Sequence, residues 1–173
     1  MKLEIIPEAL SRLKNPPKEL NFIGDTSLLS MPKVAVVGSR KASVYTKECV
    51  TALCAALKSA NVCVVSGGAI GVDITAHKAA MPRTIGVFAN GLDIIYPAQN
   101  KAAIREIYEK GLALSEYGEG EPPIAGDHPL LHAPNVILAP HVGFATQEAM
   151  EKRAVIAFKN VQAYLAGKPQ NVM

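Results

Sequence analysis

The sequence has no tryptophan and only 5% aromatic residues. Proteins that grip single-stranded nucleic acid usually add stacking aromatics to a positive groove. With so few, any such affinity here should rest on phosphates and fall steeply with salt. Cysteine is scarce too: Cys49, Cys54 and Cys63 are an odd number without C-x-x-C spacing. That excludes a paired disulfide framework and argues against a metal site. Cys49 and Cys54 fall in a helical pattern and Cys63 in a strand, so all three are expected to be buried small hydrophobes. No apolar run approaches the roughly 20 residues that cross a bilayer. At the N-terminus, Glu4 and Glu8 stand where a signal peptide needs its apolar core. We therefore expect a cytoplasmic protein without a membrane segment.

What is present is a chain of 173 residues, 49% hydrophobic and 19% charged, enough for one domain with a sizeable core. Its net charge of +3 permits nucleic acid without indicating it. Two short apolar runs, Val34 to Val37 and Val62 to Val65, each lead into glycine and hydroxyl residues. Runs of this length and β-branched content are expected to be parallel strands buried on both faces. The loop after such a strand lies where open α/β sheets bind ligands. A glycine there admits close backbone approach, and the next helix offers free N–H groups. Gly38-Ser39-Arg40 and Ser66-Gly67-Gly68 thus suggest one anion-binding rim, with Arg40, Lys41 and Lys47 as its local positive field. The same glycines would also serve to turn tight corners.

Around these loops, strands alternate with helices. Strands are expected at 34–37, 62–65, 84–88 and 112–115, and helices at about 43–60, 71–80 and 100–110. Val50, Leu53, Cys54 and Leu57 form one face of the first of these helices. This spacing predicts βαβ units: an α/β, Rossmann-like, three-layer fold with a mostly parallel sheet of about five strands. Residues 1–32 read as a short N-terminal extension with a helical pattern over 3–14 and a short strand over 20–24. Residues 33–117 read as the core. Residues 118–173 begin with a Pro/Gly-rich connector. They continue with a strand over 135–138 and a long helix capped at Thr146, with Ala154, Ile156, Ala157, Val161 and Leu165 as its apolar stripe. Gly167 is expected to end that helix.

Four ordered motifs carry a resemblance. Val34-Ala-Val-Val-Gly-Ser-Arg-Lys41, Val64-Val-Ser-Gly-Gly-Ala-Ile-Gly-Val-Asp-Ile-Thr-Ala-His77, Thr84 to Phe88 with Gly91 to Pro97, and Leu114-Ser-Glu-Tyr117 are similar to the DprA/Smf family. The resemblance covers residues 1 to about 117. It implies single-stranded DNA binding and recombinase loading during natural transformation. It also implies a phosphate pocket made by Gly38, Ser39, Arg40, Ser66, Gly67, Gly68, Gly71 and Asp73. On physical grounds Arg40 can clamp a phosphate through its fork and Lys41 adds a point charge. Asp73 would repel phosphate, so it is expected to fix loop amides or cap the second helix. His77 is expected to be a surface or packing residue.

After Tyr117 the family's basic Arg-Asn-Arg segment is missing. Residues 118–173 instead resemble the end of a D-2-hydroxyacid dehydrogenase, through Glu119-Gly-Glu-Pro-Pro123, Asp127-His-Pro-Leu-Leu131, Pro134 to Thr146 and Gly167 to Val172. That resemblance implies a Glu121–His141 acid/base pair and NAD as cofactor. Yet the first glycine loop lacks the second and third glycines of a pyrophosphate loop, and no arginine segment for a substrate carboxylate precedes the fourth strand. The expected function is therefore binding of single-stranded DNA without enzymatic activity or cofactor, weakened by loss of the basic segment. The alternatives are a dehydrogenase-related protein and a recombined or engineered hybrid without activity. An open sheet edge invites a second copy of the chain.

Overall fold

The computed structural model describes residues 1–4, 6–12, 16–123 and 147–168. It divides into two compact units, Met1–Ala125 and Gly126–Met173.

In the first unit, helix α1 (Glu8–Ser11) is followed by strand β1 (Asn21–Gly24), a 3-10 turn (Thr26–Ser30) and strand β2 (Lys33–Ala35). The βα alternation then runs α2 (Val44–Ser59), β3 (Cys63–Ser66), α3 (Val72–Ala80), β4 (Thr84–Val87), α4 (Lys101–Lys110) and β5 (Leu112–Ser115). Ser43 caps α2 by accepting the Thr46 N–H, the reason that helix starts there. Cys54 and Leu57 are buried beneath it and Val50 and Leu53 half-buried, as the helical spacing required.

The sheet order is β1-β5-β4-β3-β2. β2 to β5 are parallel neighbours, and β1 closes the far edge antiparallel to β5. The fifth strand therefore comes from the N-terminal extension. Because β2, β3, β4 and β5 lie side by side in chain order, right-handed crossovers put α2, α3 and α4 on one face. Contacts agree. His77 of α3 bonds Thr84, and Ile104 and Ile107 of α4 pack against Ala113. The opposite face presents Cys63, Ile85, Leu112 and Leu114, which pack around Leu28 with Leu3, Phe22, Leu29 and Met31. The three layers are thus unequal: helices, sheet, and a thin cover from Leu3 and the Leu28–Met31 segment.

Some expectations change. β3 is almost wholly buried, but β2 is not: Lys33 and Ala35 are exposed and Val34 is half-buried. β2 has a partner on one side only, so its β-branched run does not imply burial on both faces. Cys49 is exposed, against the expectation for all three thiols, while Cys54 and Cys63 are buried. On a 3.6-residue helix, positions 49 and 54 lie about 140° apart and cannot share a face. Burial pushes the Cys54 and Cys63 thiols up to about 11. Gly111 follows α4 at a φ of −114°, so no left-handed turn demands a glycine there. What demands it is space, since a Cβ there would lie 2.7 Å from the Thr84 carbonyl oxygen.

The second unit contains α5 (Gln147–Leu165). Gly167, at φ +70°, ends it, with the Lys168 N–H reaching the Ala163 carbonyl. Val161 is half-buried, whereas Ile156, Ala157 and Leu165 of the expected stripe are exposed. The strand over 135–138, His141 and Thr146 lie outside the described residues. No helix of the described residues is long and apolar enough to cross a membrane.

Candidate phosphate-binding site

The sheet brings the two glycine loops together, because β2 and β3 are parallel neighbours and both loops leave their carboxyl ends. Ser66, buried at the end of β3, donates its hydroxyl to the Val36 carbonyl at 2.6 Å. The Val72 N–H, at the start of α3, reaches the Ser39 carbonyl at 3.2 Å. Gly71 makes this approach feasible. Its φ is +95°, and a Cβ would collide with the carbonyl oxygens of Ser39 and Arg40.

Asp73 is the tie between the loops. It is buried, 8% exposed, and accepts the Gly38 N–H at 3.4 Å. Burial raises its pKa above the ordinary carboxylate value; the N–H groups of Gly38, Gly67 and Ala69 and the charge of Arg40 pull the other way. The carboxylate thus sits where an anion would otherwise meet the loop amides, in the structural role expected of it. The consequence for the rim is specific. Gly38 and Gly67 turn backbone N–H groups inward, toward Asp73. The outward donors are the exposed Ser39, Arg40 and Lys41. The Ser39 hydroxyl accepts the Lys41 N–H at 3.0 Å, which fixes the turn and leaves its own proton to donate.

The Ser66-Gly67-Gly68 loop is held by two residues that the sequence did not single out for it. His77 is fully buried, with Nε2 2.7 Å from the Gly67 carbonyl oxygen and Nδ1 2.7 Å from the Thr84 hydroxyl. A carbonyl only accepts, so Nε2 carries the proton and Nδ1 is left an acceptor beside the Thr84 hydroxyl, whose one proton also has the Val64 carbonyl within reach at 3.1 Å. Burial lowers the ring's pKa to about 4, which keeps it neutral. Asn100 donates from Nδ2 to the Gly68 carbonyl at 2.9 Å. It directly precedes α4, but its side chain caps nothing there. Phe88 lies beneath the loop, where a Cβ at Gly68 would strike its ring. Of the two expectations for His77, surface or packing, the structure shows packing. Its grip on the loop required the tertiary contact.

The remaining candidates lie elsewhere. Glu121 is exposed and closes its own turn, accepting the Gly118 N–H at 2.9 Å, while its carbonyl accepts the Gly91 N–H. Its expected partner, His141, lies outside the described residues. A cavity of about 280 Å³ opens at the β1 edge between Asn21, Ile23, Leu92, Asp93 and Tyr117, and shares no residue with the rim. Among the described residues no cluster of three or more His, Cys, Asp or Glu could hold a metal.

Comparison with known proteins gives the chain a family. The family model of DNA recombination-mediator protein A matches residues 2–130. The chain belongs to that family. The match runs beyond residue 117, so the family extends into the connector. DNA processing protein DprA of Streptococcus pneumoniae is 42% identical over 121 residues, 68% of this chain and 43% of that protein. Protein Smf of a Synechocystis species is 35% identical over 130 residues, 71% of this chain and 33% of that protein. The chain thus spans less than half the length of these curated relatives. Among solved structures, DNA processing protein A of Helicobacter pylori, described with a single-stranded DNA binding mode, superposes with a TM-score of 0.71 at 46% identity. That match covers 73% of this chain and 59% of the other. The Streptococcus pneumoniae DprA structure gives 0.66 at 39% identity, over 71% and 46%. A hydroxypyruvate reductase of Blautia hydrogenotrophica is 43% identical over 51 residues, 30% of this chain and 16% of that protein. That shorter likeness agrees with the dehydrogenase resemblance of the tail.

Proposed function

We propose that this chain binds single-stranded DNA by its phosphate backbone, at the rim formed by Ser39, Arg40, Lys41 and the backbone of Gly68 and Gly71. The observation that carries the reading is the exposed Gly38–Lys41 turn, locked from behind by Asp73 and Gly71 and presenting Arg40 to solvent. A guanidinium on a rigid turn can grip a phosphate through two parallel N–H bonds. Membership of the DNA recombination-mediator family supports this reading, as does the single-stranded DNA binding mode described for the Helicobacter pylori protein. The wider role follows the family: handling of single strands in natural transformation and recombination, in the cytoplasm, with a recombinase and a second copy of the chain as partners. We assign it no dehydrogenase activity and no NAD, since the Gly38-Ser39-Arg40 loop lacks a dinucleotide fingerprint.

The test is a fluorescence-anisotropy titration of labelled oligo-dT. Arg40→Ala is expected to remove most of the affinity and to flatten the dependence of log K on log salt by about one. Equal affinity in variant and parent would refute the site. A parallel thermal melt should rise with oligo-dT and stay unchanged with NAD; a rise with NAD alone would favour the dehydrogenase reading.

A further inference from the structure

We propose that Tyr96 is a base-stacking platform at the β4 end of the rim. The inference rests on the single-stranded nucleic acid reading above and adds a base subsite to its phosphate contacts.

The 88–100 segment is a tightly built loop. Asn90 donates from Nδ2 to the carbonyls of Gly91 at 2.8 Å and Ile94 at 2.6 Å, and its own carbonyl accepts the Ser115 hydroxyl at 2.8 Å. Leu92 is buried and Ile95 packs on the Phe88 cluster. Past Tyr96, Asn100 ties the chain to Gly68. Both flanks are therefore fixed, yet the Tyr96 side chain between them is 55% exposed. No hydrogen bond or ring contact engages it among the described residues. A loop held this firmly presents a rigid aromatic surface that loses little freedom when a ligand covers it.

Position supplies the second argument. A Cβ at Gly68 would lie 3.4 Å from the Tyr96 carbonyl oxygen, so Tyr96 adjoins the Ser66-Gly67-Gly68 loop. β4, β3 and β2 are neighbours at about 4.8 Å spacing. Their carboxyl ends carry, in order, Tyr96, the Gly67-Gly68 turn and Arg40. A strand whose phosphate meets Arg40 and whose path crosses Gly68 delivers a base toward Tyr96. The other exposed tyrosine of this unit, Tyr45, sits in the first turn of α2 rather than on the 88–100 loop.

The test compares the full-length parent, Tyr96→Ala and Tyr96→Phe on labelled oligo-dT and on an abasic oligonucleotide of equal length. Loss of one stacked base is expected to weaken oligo-dT binding by Tyr96→Ala roughly 5- to 150-fold, with the salt slope unchanged. Tyr96→Phe should bind like the parent, because stacking needs the ring and not the hydroxyl. On the abasic strand, parent and Tyr96→Ala should be equal. The proposal is overturned if Tyr96→Ala matches the parent on oligo-dT, or if it loses the same factor on the abasic strand. Failure of the parent to bind either oligonucleotide would instead overturn the nucleic-acid reading, and this inference with it.

Discussion

The two glycine loops share a sheet and a motif type but differ in almost every physical respect. The loop after β3 is recessed: Ser66 and Asp73 are buried, Gly67 and Gly68 half-buried, and both glycine carbonyls are gripped from behind by His77 and Asn100. The loop after β2 leaves an edge strand, and its Ser39, Arg40 and Lys41 stand in solvent. The difference separates two jobs that the sequence merges. One loop spends both glycine carbonyls and the Gly67 amide on internal contacts, and the other keeps its polar side chains for a partner.

Substitutions should break this division in a definite order. Gly71→Ala is expected to be the most damaging, at about 3 to 5 kcal/mol in urea unfolding, because it combines positive-φ strain with a clash against the neighbouring loop. Oligonucleotide binding should fall with it. An undiminished midpoint would mean that the two loops are not interlocked through this residue.

The His77 contact predicts a pH effect next in size. Its folded-state pKa, about 4, lies below the ordinary imidazole value of 6.5. The native state therefore binds this proton less readily than the unfolded chain. The stability it contributes is full above about pH 6.5 and is lost as pH falls toward 4, by up to about 3 kcal/mol. Urea melts at pH 7 and pH 4.5 should show a smaller pH difference in His77→Gln than in the parent. An identical difference would show that the ring is not held neutral by burial. Ser66→Ala should cost less, about 1 to 2 kcal/mol, for the lost bond to the buried Val36 carbonyl. Arg40→Ala should change stability by less than about 0.5 kcal/mol while removing most DNA affinity. Were it to destabilise as Ser66→Ala does, the exposed loop would be scaffold as well, and the contrast between the loops would fail.

Much of this was legible from residue order. The βα alternation, the Ser43 start of α2, the pairing of two glycine turns and a structural Asp73 all follow from local chemistry: period, capping and the repulsion of like charges. Other features escaped. Cys49 was misplaced because membership of a helix says less than the angle around it. The burial of β2 was overestimated because a β-branched run does not reveal how many neighbours a strand has. The hold of Asn100 on Gly68 escaped as well, since a long-range partner leaves no trace in nearby sequence.

The sequence alone determined which residues could meet a phosphate: an arginine, a lysine, a serine and glycines that let backbone approach. These depend on composition and spacing along a few residues. Only the tertiary structure decided which of those groups face outward. Asp73 draws the Gly38 and Gly67 amides inward, His77 and Asn100 fix the turn behind them, and Tyr96 is brought beside Gly68. Each of these outcomes depends on contacts between segments far apart in the chain, set by strand order and burial. Short-range spacing carries no record of them.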